Sequence, residues 1–163
     1  MLGEKRLDCQ EMFCHACAFC ECADMAMKEY CHKSASIELY VVPAFVNSAF
    51  ACEVFLKALL KYFDISYKNE HKLKALFEML PMDLSCLIYL QVYSHCGKGW
   101  NMETLENLSD AFVRHRYIYE VDRRKTPIIN YDTYSMTVFR DILREACCEI
   151  FFGITWEIYK NTA

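Results

Sequence analysis

The sequence predicts an all-α fold, an up-and-down bundle of about five helices that forms one domain over residues 1–163. Apolar residues recur at three- and four-residue steps, the period of an amphipathic helix. The chain has only 4 glycines and 3 prolines, too few for the many tight turns of a β fold. Its 163 residues are 55% hydrophobic and 15% aromatic, enough for one continuous core.

The first predicted helix covers residues 5–34, and residues 36–42 are predicted to connect it to the second. Pro43 is expected in the first turn of that second helix, which covers residues 44–63, because proline lacks the N–H that a first turn does not use. The second helix is apolar on almost every side, so we expect it at the centre of the bundle. The apolar stripes are Phe13, Cys17, Cys20, Met27 and Cys31 in the first helix, and Phe45, Ala49, Cys52, Leu56, Leu59 and Phe63 in the second.

The third predicted helix covers residues 69–80, with His71 supporting its start. Pro81 ends it and begins a short helix that reaches about Ser94, before two glycines at 97 and 99. A fourth helix runs from residues 101–104 to residue 121. Its stripe is Leu105, Leu108, Phe112, His115 and Tyr119.

A loop over residues 122–132 carries the basic run Arg123-Arg124-Lys125. Thr133 is the expected N-cap of the last helix, which covers residues 134–159. The predicted buried stripe of that helix is Val138, Ile142, Ala146 and Ile150.

Composition and charge limit both the class of protein and its cellular compartment. A net charge of −4 argues against a protein that coats nucleic acid non-specifically, although it permits a local basic site. The N-terminal residues lack the apolar core of a signal peptide, which predicts a cytoplasmic protein. Residues 41–60 are apolar but include Pro43, Glu53 and Lys57, so a buried helix is favoured over a membrane span.

Eleven cysteines raise the question of disulfides or a metal site. Cys14, Cys17, Cys20 and Cys22 have spacings that suit zinc. On a helix, however, Cys14 and Cys20 are separated by roughly 9 Å of rise, too far for one tetrahedral ion. We therefore expect reduced, structural thiols and no metal or other cofactor.

The second helix reads Glu53, three residues, then Lys57-Ala-Leu-Leu, and the third begins His71-Lys-Leu. With the later dipeptide Arg116-Tyr117, this order resembles HEPN domains, over about residues 40–125. The resemblance implies a helical bundle and a homodimer, which surplus apolar surface also favours. Some HEPN proteins are metal-independent ribonucleases of toxin or defence systems, and others partner nucleotidyltransferases. The ribonucleases carry an arginine and, four to six residues later, a histidine, a pattern that the fourth helix lacks.

The candidate catalytic residues are Arg114, His115, Arg116 and Tyr117, which belong to the densest polar cluster on an otherwise apolar scaffold, residues 114–120. Two arginines can hold a phosphate while His115 or Tyr117 moves a proton. The structural alternative, which we favour, pairs Arg114 with Asp110 and Arg116 with Glu120 along the helix, and places His115 on the apolar stripe.

Glu53 and Lys57 lie four residues apart on the most apolar helix. Burial of an unpaired charge is costly, so either they form an ion pair or they line a polar pocket facing the fourth helix. In the second case the ligand-binding residues are Glu53, Lys57, Arg116 and Glu120.

The sequence as a whole predicts a HEPN-like, dimeric binding or regulatory component of a nucleotide- or RNA-linked defence or toxin–antitoxin system. Its partner would be a nucleotidyltransferase or an antitoxin. The alternatives are a divergent endoribonuclease that uses the cluster at residues 114–117, and a purely structural interaction domain.

Overall fold

The computed structural model describes the backbone of residues 2–33, 37–115 and 132–162, and the side chains of residues 5–28, 40–110, 112 and 132–162. Within these ranges the chain forms seven α-helices and one short 3-10 turn, with no strand, which confirms the all-α prediction. The helices are α1 (Leu2–Lys33), α2 (Ile37–Tyr62), α3 (Leu73–Glu78), α4 (Met82–Cys96), α5 (Met102–His115), α6 (Thr133–Phe152) and α7 (Trp156–Thr162).

Helix α2 is the centre of the bundle, as its all-round apolar sequence predicts. It packs against α1 along its length and also against α3, α5 and α6. Among the described residues, Tyr40–Tyr62 is the one helical segment long and apolar enough to cross a membrane, and 67% of its most apolar window is buried by the other helices. That degree of burial is typical of a core helix.

The start of α2 corrects one prediction. The helix begins at Ile37, so most of the predicted connection is helical and Pro43 lies inside the helix. An internal proline removes one backbone hydrogen bond. Burial of Val41, Ala44 and Phe45 against neighbouring helices offsets this loss, and the Asn47 side-chain amide donates to the Pro43 carbonyl at 2.9 Å.

The middle of the chain follows the predicted order with a shorter third helix. Helix α3 has six residues rather than twelve, because the chain bends first at Asn69, whose φ is +59°. Pro81 is the N-cap of α4, as the sequence suggests. Gly97, with a φ of +60°, ends α4 in a conformation that favours glycine.

The predicted last helix is two helices. Gly153 adopts a left-handed φ of +73° at the end of α6, and its N–H donates to the Glu149 carbonyl at 2.9 Å. The N-cap of α6 is Asp132 and not Thr133, because the Asp132 carboxylate accepts the Ser135 N–H at 2.9 Å.

The buried face of α6 is displaced by one residue from the predicted stripe. Of the predicted stripe Ala146 is buried, but Val138, Ile142 and Ile150 are only half-buried. The fully buried side chains include Phe139, Leu143, Cys147 and Phe151. The apolar stripe of a core-facing helix can be wider than 100°, so two candidate stripes that start one residue apart are both mainly apolar. The helical period alone does not decide between them.

Helix α7 folds back across α1. The rings of Trp156 and Tyr159 lie 6.2 and 5.3 Å from the ring of Phe13, and the Arg144 guanidinium lies 4.4 Å from the Trp156 ring centre. These contacts join the first and last described helices in one aromatic cluster.

Candidate functional site

Glu53 is the most unusual residue of the central helix. It is 3% exposed, in the middle of a helix whose other buried positions are almost all apolar. Its Oε1 accepts from the Lys57 Nζ at 2.7 Å and lies 2.8 Å from the His71 Nδ1. The ion pair between Glu53 and Lys57 is therefore present, with a histidine from the following loop as its third member.

His71 reaches this pair because its loop turns back against α2. The start of α3 is supported by other groups: the Glu70 carboxylate accepts the N–H groups of His71 and Lys72, and the Ser109 hydroxyl accepts that of Lys74. The His71 ring therefore does not support the start of α3 as we expected. It contacts Glu53 instead.

The hydrogen bonds indicate which nitrogen of His71 carries the proton. Lysine ammonium has only donors, so Nδ1 would have to accept from Lys57, at 3.4 Å, or donate to Glu53, at 2.8 Å. The shorter contact to a carboxylate favours a proton on Nδ1. In the neutral ring Nε2 is then an acceptor, and the side chain is 56% exposed.

The second oxygen of the Glu53 carboxylate, Oε2, is buried and makes no hydrogen bond to the described residues. A buried polar atom without a partner costs about 1–3 kcal/mol, and a charged one more. Most buried polar atoms in proteins are paired, so an exception calls for an explanation such as a functional role or a bound water.

The exposed side of this cluster carries Lys57 and His71. The Lys57 side chain is 16% exposed, and its Nζ lies 5.7 Å from the centre of the Tyr67 ring. His71 lies further out, whereas Glu53 is covered. We call Glu53, Lys57, Tyr67 and His71 the α2 polar cluster.

Helix α5 leads towards this cluster. Ser109 contacts the amide of Lys74, while Met102 lines one groove with Phe77, so α5 runs antiparallel to α3. Its C-terminal end, with Arg114 and His115, therefore extends towards the end of α3 where His71 lies. The side chains of Arg114 and His115 lie outside the described residues, as do Arg116, Tyr117 and Glu120 entirely.

A second buried charge, Arg140 on α6, was missed by sequence reasoning. Arg140 is 2% exposed and donates to Asp24 at 2.8 Å, to Asp141 at 2.9 Å and to Ser48 at 3.3 Å. The available signal was its spacing, because Arg140 lies four residues from Met136 and three from Leu143, both fully buried.

The described cysteines lie on α1, α2, α4 and α6. The ten whose side chains are described are free thiols, and Cys14 and Cys22 are exposed while Cys20 is buried. No three potential metal ligands come together within the described part of the chain. Burial raises the pKa of Cys20 and of Cys148 to about 11 and that of Cys17 further, which makes these thiols poor nucleophiles.

Comparisons of the chain with protein-family models, with curated proteins and with solved structures found no match. The resemblance to HEPN domains therefore rests on the sequence motifs alone.

Proposed function

We propose that this chain is a HEPN-like helical module that acts as a dimeric binding component and holds a phosphate group of single-stranded RNA or a nucleotide at the α2 polar cluster. One observation carries the proposal: the Glu53 carboxylate is buried beneath Lys57 and His71. The proposed setting is cytoplasmic, with a nucleotidyltransferase or an antitoxin as the partner protein.

The charge arrangement suits an anion that approaches from solvent. Lys57 has three N–H donors, of which Glu53 takes one, and the exposed His71 ring adds a second donor only when it is protonated. The carboxylate is shielded by its own neighbours, so an incoming phosphate meets the cations first. Arg114, a candidate from the sequence alone, is proposed as a further contact.

Phosphate binding is tested with the full chain and a fluorescent single-stranded RNA of about twelve nucleotides, or with ATP, by fluorescence anisotropy and calorimetry. We expect Lys57→Ala and His71→Ala each to weaken binding about tenfold, which corresponds to about 1.4 kcal/mol. Lys28→Ala, which removes an exposed lysine of α1, is the matched control and should bind like the wild type. Equal binding by all three variants, or none by the wild type at 0.15 M salt, would refute the proposal.

A second candidate function, a metal-independent endoribonuclease, is favoured by the geometry of His71. A buried carboxylate that holds Nδ1 leaves Nε2 facing outwards as a base, an arrangement found in many hydrolytic sites. Nε2 would take the proton of a ribose 2′-hydroxyl, the 2′-oxygen would attack the adjacent phosphorus, and the bond to the 5′-oxygen would break as that oxygen gains a proton from water.

Incubation of RNA with the protein in EDTA separates the two candidates. Cleavage to 2′,3′-cyclic phosphate and 5′-hydroxyl ends, lost in folded Glu53→Gln and His71→Ala proteins, supports the nuclease. Binding without cleavage supports the binding component.

A further inference from the structure

The outward side of α4 carries several exposed apolar side chains beside the polar Gln91, Ser94 and His95. Leu90, at the centre of this face, is 62% exposed, and the neighbouring side chains are also exposed. Only one of the fifteen residues of α4, Asp83, is acidic or carries a permanent charge. We call this surface the α4 face; its members are Met82, Asp83, Cys86, Leu87, Leu90 and Tyr93.

A groove of about 420 Å³ lies beside the protruding side chains of the α4 face. It runs between α3, α4 and the start of α5, and its walls include Phe77, Tyr89 and Met102. Leu90 both borders the groove and projects from the surface. A surface with exposed apolar side chains beside an apolar groove can pack against a copy of itself across a two-fold axis, because each copy then covers the same residues of the other.

We propose that the α4 face is the interface with a second copy of this chain, with α4 antiparallel to its counterpart and Leu90 at the two-fold axis. The proposal deepens the dimeric part of the proposed function and names its surface. In this register Leu87 of one copy packs beside Tyr93 of the other, and each Leu90 meets its equivalent.

Charge complementarity selects a second copy as the occupant. Asp83 stands at the first turn of α4, and Lys98 follows its last turn; both are exposed. The antiparallel register places Asp83 of each copy beside Lys98 of the other, so two ion pairs form at the ends of an apolar strip. Each copy carries a net charge of −4, and the nearly uncharged α4 face is where two such molecules can approach with the least repulsion.

The interface is tested on the full chain by light scattering coupled to size exclusion at about 50 µM. The wild type should have about twice the chain mass of 19.2 kDa. Leu90→Glu should have the monomer mass, whereas Leu7→Glu, a matched change at an exposed leucine of α1, should remain dimeric. Circular dichroism confirms that both variants are folded.

A charge exchange tests the register. Asp83→Lys alone should weaken the dimer at least tenfold, and Asp83→Lys combined with Lys98→Asp should restore it. A wild-type monomer, a dimeric Leu90→Glu protein, or a double variant as weak as the single one would overturn the proposal. His71→Ala, measured in parallel, should stay dimeric, so that loss of phosphate binding and loss of the interface are recognised separately.

Discussion

Two buried charges, Arg140 on α6 and Glu53 on α2, are alike in burial and opposite in how they are satisfied. The Arg140 guanidinium has carboxylate partners on α1 and on its own helix, and a hydroxyl on α2. The Glu53 carboxylate uses one oxygen for both of its partners and leaves the other without a hydrogen bond among the described residues. The first network is closed and joins three helices. The second is open towards a surface loop.

The partner side chains of Arg140 and Glu53 also differ in charge and exposure. Asp24 and Asp141, which neutralise Arg140, have side chains 57% and 40% exposed, so solvent hydrates them while the guanidinium holds the helices together. Around Glu53 the more exposed partners are Lys57 and His71 instead. Arg140 therefore joins three helices, whereas Glu53 lies beneath two side chains that face the surface.

The largest effect is expected at Arg140. Arg140→Ala removes a buried aliphatic stem and at least three hydrogen bonds, two of them to carboxylates, and leaves a cavity. We expect the free energy of unfolding to fall by about 3 kcal/mol. Urea denaturation measures this free energy, and the control variant Lys28→Ala should change the free energy of unfolding by less than about 0.5 kcal/mol. A loss under about 1 kcal/mol at Arg140 would mean that its network does not hold the helices.

The next largest effect is expected at Asp132, the N-cap of α6, which is not a partner of Arg140. Asp132→Ala removes the N-cap hydrogen bond to Ser135 and should cost about 1 kcal/mol in the free energy of unfolding. Thr133→Ala, one residue away, makes no change in the cap and should cost much less. If the threonine variant is the more damaged one by urea denaturation, the cap has been assigned to the wrong residue.

The smallest effect is expected at Glu53. Glu53→Gln keeps the shape of the side chain. The substitution loses the ion pair with Lys57, but it also removes the free-energy cost of burying a carboxylate whose second oxygen has no hydrogen bond among the described residues. We expect the free energy of unfolding to change by less than about 1 kcal/mol, close to the result for Glu106→Gln at an exposed glutamate of α5. A cost near 3 kcal/mol would make Glu53 as structural as Arg140 and remove the contrast.

The helices could be predicted where the apolar period and the chain-breaking residues agree. Pro81 and Gly97 mark the two ends of α4 because each fixes the local backbone whatever lies around it. Pro43 was misjudged because contacts with neighbouring helices outweigh its local preference. Asp132 and Thr133 are both good caps, and sequence alone cannot rank them.

The site was only half predictable for a similar reason. Lys57 lies one turn from Glu53, so their ion pair follows from helical geometry. His71 joins them through a loop whose path depends on Asp64 and Asn69, both at positive φ, and periodicity carries no information about such bends. Arg140 pairs with Asp24 from a helix 116 residues earlier, a contact that no local pattern encodes.

The aromatic cluster of α1 and α7 has a consequence for synthesis of the chain. Cys14 and Tyr159 are in contact although 145 residues separate them, and the Phe151 carbonyl accepts from Arg6 over the same span. During translation, α2 can cover one side of Phe13 through Phe55, whereas the side that contacts Phe152, Trp156 and Tyr159 stays uncovered until those residues have been synthesised. Native packing of α1 therefore depends on α6 and α7, whose contacts with it span 145 residues of sequence.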